Sequence, residues 1–119
     1  MHFQIFLLLL TFVVTGLAAN HDILAGQAGL SFIPNVTKAA VGDTLTFHFY
    51  PGKHNVVHGS FDKPCNYTGD AFYSGFIVPL VGESDQVFRV TVNDTEPIWY
   101  YCSEWMHCQL GMVGVVNPP

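Results

Sequence analysis

Basic side chains are scarce in this chain: 119 residues hold four Lys or Arg against nine Asp or Glu, a formal net charge of −5. Without a basic cluster, neither nucleic acid nor an anionic membrane surface is expected as a partner. Cysteine is scarce as well. There are three, so at least one stands outside any intramolecular disulfide. No segment carries a helical period, and no internal repeat, linker or low-complexity stretch divides the chain, so a single non-helical domain is the simplest organisation.

Only one long apolar run occurs, at the N-terminus. Residues 1–19, MHFQIFLLLLTFVVTGLAA, hold fourteen apolar side chains and no charge. The core is short for a bilayer span and ends in the small residues Ala18 and Ala19, as a secretory signal peptide does, although the early Lys or Arg usual there is missing. The expected organisation is therefore a leader over 1–19 and one domain over 20–119, secreted to the extracellular space or cell wall. No second apolar run follows, so no membrane span is expected after cleavage, and VVNPP carries neither the spacer nor the tail of a lipid-anchor signal. Three Asn-X-Thr triplets, at Asn35, Asn66 and Asn93, are candidate glycosylation sites in a secreted chain.

Short runs rich in Val, Ile, Phe, Tyr and Thr alternate with turn residues. They predict strands at His21–Ala25, Leu30–Pro34, Asn35–Ala40, Thr44–Tyr50, Asn55–His58, Phe72–Val78, Gln86–Val92, Pro97–Cys102 and Met112–Asn117. In TLTFHFY, Leu45, Phe47 and Phe49 fall on one face. In QVFRVTV, Phe88, Val90 and Val92 share a side, with Arg89 and Thr91 opposite. Many short strands at this spacing predict an all-β, antiparallel sandwich or barrel.

The chemistry concentrates where PIWYYC runs out. Cys102, His107 and Met112 follow one another in a C-x4-H-x4-M spacing, short enough for one loop to turn thiolate, imidazole and thioether toward a point. A second imidazole is available upstream in HNVV, at His54. Thiolate, thioether and two imidazoles are the donor set of a blue-copper centre. The thiolate stabilises copper and carries its electron density, the imidazoles suit both oxidation states, and a weak axial thioether keeps the geometry between their preferences. His58 and Met106 compete for these roles, but His58 lacks the turn before it and Met106 directly precedes His107. His48 lies on the polar face of its strand and reads as ordinary. His21 becomes an N-terminal copper chelator only if cleavage follows Asn20. A zinc site of two cysteines and a histidine lacks a fourth ligand and leaves Cys65 unpaired in an oxidising compartment.

HNVV at 54–57, PCN at 64–66 and YC-x4-HCQLGM at 101–112 together resemble the secreted cupredoxins of the phytocyanin type, the small fungal members above all. The resemblance covers the whole of the domain. It implies a Greek-key β-sandwich holding one type 1 copper on His54, Cys102, His107 and Met112. It also implies a Cys65–Cys108 disulfide. The three-cysteine count allows two other bridges, but both would consume Cys102. Asn55 is expected to hydrogen-bond across to the loop beginning at Ser103, and His107 to be the most exposed ligand, with Trp105 and Met106 beside it as the route for electrons. The implied activity is one-electron transfer by a monomer with an unidentified extracellular redox partner, and no enzymatic chemistry. Extracellular copper binding or buffering, with incidental redox cycling, uses the same residues.

Overall fold

The computed structural model describes residues 1–11, 16–69 and 71–119. Residues 12–15 of the expected leader, and Asp70 of an expected turn, lie outside the described residues. Eight strands form: β1 (Asn20–Ala25), β2 (Phe32–Ile33), β3 (Val36–Thr37), β4 (Thr44–Phe49), β5 (Val57–Gly59), β6 (Val87–Thr91), β7 (Ile98–Tyr101) and β8 (Val113–Val116). They make two four-stranded sheets, ordered β2-β1-β4-β6 and β3-β8-β7-β5. The all-β sandwich is the expected one, and among the described residues there is no helix. Four of the six pairings are antiparallel, but β1 runs parallel to β4, and β3 to β8, so both sheets are mixed.

The period-2 code explains how the sheets meet. Leu45, Phe47 and Phe49 of β4 all point inward and are fully buried, as are Ile23 and Ala25 of the neighbouring β1. From the other sheet Tyr100 reaches across, its ring edge-on to Phe32 at 4.9 Å and to Phe47 at 5.1 Å between centroids. Such edge-to-face contacts add to the area buried. Gly114, opposite Tyr100 on β8, makes room for this, since a Cβ there would overlap the end of the ring. Burial pushes the Tyr100 phenol well above its ordinary range.

The predicted strand at Phe72–Val78 does not form. Only isolated bridges occur, between Val57 and Tyr73 and between His54 and Ile77. Gly75 between them takes a φ of 75°. The Ser74 hydroxyl, accepting from Val56 N–H at 2.8 Å, stands where a ladder carbonyl would. β2 and β3 are also shorter than predicted, being separated by Pro34, which has no N–H to give to a ladder.

At the chain's entry into the domain, the Asp43 carboxylate accepts from the backbone N–H groups of Ala19 and Ala40, each at 2.9 Å, and meets the His21 ring at 2.8 Å. These bonds hold its pKa down to about 2, the Ala19 N–H contributing most. His48 spans two carboxylates, Asp22 at 2.7 Å and Glu83 at 2.6 Å. Neither His21 nor His48 joins the site described next as a ligand: His21 is held by Asp43, and His48 by Asp22 and Glu83.

Candidate metal centre

Two segments bring the donors together. The first is the turn Pro51–Lys53 leading into His54. Its backbone carbonyl accepts from Ile77 N–H at 3.0 Å, which fixes the chain just before β5. The second is the loop between β7 and β8. It closes through Cys102 N–H to the Met112 carbonyl at 3.1 Å and Met112 N–H to the His107 carbonyl at 2.9 Å. Inside it, His107 N–H bonds the Glu104 carbonyl at 3.0 Å and Gly111 N–H the Cys108 carbonyl at 2.9 Å. Successive turns thus curl the C-x4-H-x4-M segment so that its three side chains sit at one end of the sandwich.

One donor atom from each of His54, Cys102 and His107 lies within 4.8 Å of the others. Cys102 Sγ is 3.5 Å from His107 Nδ1, and the two imidazole centroids are 5.2 Å apart. Met112 is fully buried and belongs to the same apolar cluster as Cys102. His54 is 3% exposed and Cys102 fully buried, whereas His107 is partly exposed. The expectation about relative ligand exposure is met.

The polar atoms at this point fit a cation. His54 Nδ1 is buried without a hydrogen-bond partner, a costly arrangement for an imidazole unless it has a ligand to bind. Burial, followed by the neighbouring His107, holds the His54 pKa below the usual imidazole range, which keeps it neutral as a ligand must be. Burial pushes the Cys102 thiol up, while the backbone N–H groups of Asn55 and Glu104 pull it the other way. Those two donors are placed to stabilise a thiolate once a cation is beside it.

Two connections lock the segments to each other. Asn55 and Ser103 exchange a pair of hydrogen bonds, as the resemblance implied. Lys53 Nζ also reaches Glu104 Oε2 at 3.2 Å while lying over the Phe76 ring, 4.5 Å from its centroid. The sequence reading missed this second contact, and no local spacing signals it. The Cys65–Cys108 disulfide is formed, with a Cα–Cα distance of 5.7 Å, and Cys102 is the free cysteine. The bridge packs with Val57 and Tyr101 on the outer side of the β5–β7 pair and so anchors the residue after His107. His58 lies elsewhere, its ring 5.0 Å from Phe72. Met106 is partly exposed and Trp105 is 82% exposed, both next to His107 at the surface. Asn35, Asn66 and Asn93 are all exposed.

Among curated proteins, the chain is 40% identical over 115 residues to a probable GPI-anchored cupredoxin of the fungus Arthroderma benhamiae, covering 94% of this chain and 59% of that one. The chain is cupredoxin-like, similar in sequence to a fungal cupredoxin. The same fungus has an extracellular serine-rich protein 38% identical over 109 residues, 89% of this chain and 43% of that protein. The cupredoxin-like chain therefore spans only about half the length of these relatives. No family model matches it. Solved structures agree on the fold. A reduced auracyanin of Roseiflexus castenholzii superposes with a TM-score of 0.62 at 17% identity, covering 87% of this chain and all of that one. A purple cupredoxin of Nitrosopumilus maritimus gives 0.60 at 20% identity, covering 81% and 96%. A copper-containing nitrite reductase of Thermus scotoductus gives 0.57 at 19% identity over 89% of this chain but 23% of its own. In this cupredoxin-like protein His54, Cys102 and His107 converge, and Met112 shares the buried cluster of Cys102; together they are the donor set of a type 1 copper site.

Proposed function

We propose that this cupredoxin-like protein is a secreted one-electron carrier working with an extracellular redox partner. The observation that carries the reading is the gathering of three donor atoms within 4.8 Å by the chain itself. A bound copper would supply a one-electron couple. The chain's residues would hold that couple still: Asn55–Ser103 and Lys53–Glu104 tie the ligand segments together, and the disulfide anchors the residue beside His107. Ligands that need not move are what fast electron exchange requires. The partly exposed His107, flanked by Trp105 and Met106, is the side from which a partner would take or give the electron.

Residues 1–19 are proposed as the leader and 20–119 as the domain. In support, large apolar side chains within residues 1–10 are exposed, while β1 begins at Asn20. The curated relatives, one extracellular and one named as GPI-anchored, support an extracellular or cell-surface location. Exposure of the three Asn-X-Thr asparagines supports glycosylation, which enzymatic glycan removal followed by mass measurement would test. The domain is proposed to act as a monomer and not as an enzyme.

Burial of His54, Cys102 and Met112 also suits a second reading, extracellular copper retention. Voltammetry and NMR self-exchange on the copper-loaded protein separate the two. A reversible couple with rapid self-exchange supports the carrier. Sluggish exchange with very tight Cu(I) retention overturns it in favour of buffering.

A further inference from the structure

We propose that Gly26, which directly follows β1 and is remote in sequence from every ligand, is a positioning residue for the copper site. Together with Gly52 it forms a slot that no side chain could share with the His54 ring. This rests on the copper reading above and assigns a role to residues outside the ligand loops.

Three observations converge on the slot. A Cβ built on Gly26 would overlap His54 Nε2 and Cδ2 and come within 3.2 Å of Cε1. A Cβ on Gly52 would come within 2.7 Å of the same Nε2 and 3.3 Å of Cε1. The edge of the imidazole that faces away from Nδ1 is therefore lodged against two bare backbones. Both glycines sit at positive φ, 83° and 112°, where a Cβ is also disfavoured by the backbone itself. The two segments are joined by Tyr50 N–H bonding the Ala25 carbonyl at 3.0 Å, one residue before Gly26, while Gly26 N–H, bonding the Ser31 carbonyl at 3.1 Å, fixes the turn that carries it.

The slot has a chemical consequence. Tilting the His54 ring out of its plane would drive its edge into one backbone or the other, while Nδ1, on the opposite edge, is buried without a partner. Gly26 thereby holds the orientation of the ring beside Cys102 and His107, and this orientation is built into the metal-free protein. Outer contacts of this kind decide ligand orientation in metal sites and are worth about 10–100-fold in metal affinity.

Gly29, in the same turn, provides the control. Its φ is 89°, and a Cβ there would meet nothing within 4 Å. Gly29→Ala imposes the backbone strain without the contact, whereas Gly26→Ala imposes both. Copper titration with visible and EPR spectra is expected to show affinity about 10–100-fold weaker and an altered thiolate-to-copper band for Gly26→Ala. Gly29→Ala is expected to match the wild type. If Gly26→Ala does not fold, Gly52→Ala is read in its place. Nitrogen-15 NMR of the metal-free proteins is expected to show displaced His54 ring resonances in Gly26→Ala and unchanged ones in Gly29→Ala. Equal spectra and affinities for the Gly26 and Gly29 variants would overturn the proposal. A wild type that binds no copper would instead overturn the copper reading, and the metal-free ring resonances would still decide the slot.

Discussion

Asn55 and Ser103, 48 positions apart in sequence, hold each other by two reciprocal hydrogen bonds of 2.7 Å: Ser103 N–H donates to Asn55 Oδ1, and Asn55 Nδ2 donates to Ser103 Oγ. Asn55 is fully buried and follows His54, and Ser103 follows Cys102. The pair therefore fixes the distance between an imidazole and the thiolate from outside the donor set. Asn55→Ala would remove both hydrogen bonds made by a fully buried side chain, a loss of about 1–3 kcal/mol. Urea denaturation of the metal-free protein should show that loss, and the copper-loaded variant should exchange electrons more slowly. An unchanged midpoint and exchange rate would remove Asn55 from the account.

Removing the disulfide acts on the unfolded chain. Cys65 and Cys108 are 43 residues apart, and the chain-entropy model gives about 4 kcal/mol for a loop of that size. The Cys65→Ser, Cys108→Ser double variant should unfold at markedly lower denaturant, yet retain a blue-copper spectrum under conditions where it folds. Loss of the spectrum in a folded double variant would show that the bridge is needed to hold His107 at the metal.

The metal-free site should be sensitive to both acid and base. His54 lies below its ordinary pKa in the folded state because burial, and then His107, disfavour its charged form. The unfolded chain therefore takes up that proton first, and stability is lost as pH falls below about 6.5. Cys102 lies above its ordinary value, chiefly through burial. Its contribution is complete at neutral pH and is lost as the medium becomes more alkaline than an ordinary thiol's pKa. Denaturant midpoints of the metal-free protein across pH should form a dome. His54→Gln should flatten the acid limb and Cys102→Ser the alkaline one. Limbs that survive both substitutions would place the titrating groups elsewhere.

Asp43 predicts a different acid response. In the chain that retains Ala19, its pKa of about 2 is set first by the Ala19 N–H, then by His21 and the Ala40 N–H, and the last two remain if a leader is cut after Ala19. A carboxylate held this low stabilises the fold above its unfolded pKa, and that stabilisation is lost as pH falls from about 4 toward 2. Asp43→Asn should therefore be less stable than the wild type at pH 7 and converge with it near pH 2. A constant difference across that interval would mean the residue acts by packing.

Gly114 tests the core in the same way. Its Cβ would collide with the Tyr100 ring that joins the two sheets. Gly114→Ala should cost about 1–3 kcal/mol through overpacking, and adding Tyr100→Phe should recover part of it by removing the hydroxyl that the new methyl meets. A neutral Gly114→Ala would show that the Tyr100 ring has room to move.

Much of this was legible in the sequence because the signals are local. Leu45, Phe47 and Phe49 alternate with polar neighbours, and the structure buries all three. The donors at 102, 107 and 112 share one loop, so their spacing alone brings them to one end of the chain's fold. What stayed hidden depends on which distant segments become neighbours. Parallel pairing of β1 with β4 leaves no mark on either strand. The Lys53–Glu104 contact joins residues from separate loops, and Gly26 meets His54 only after β1 has been placed. Phe72–Val78 was misread because its residue types suit a strand, while Gly75 and the Ser74 hydroxyl replace the ladder with isolated contacts.

The central claim is that Cys102 is the thiolate of a type 1 copper site assembled with His54, His107 and Met112. Copper reconstitution followed by visible absorption and EPR tests it most directly. The account predicts an intense thiolate-to-copper band with the narrow copper splitting of such sites, abolished in Cys102→Ser. A colourless protein that holds zinc, or a band that persists without Cys102, would contradict it.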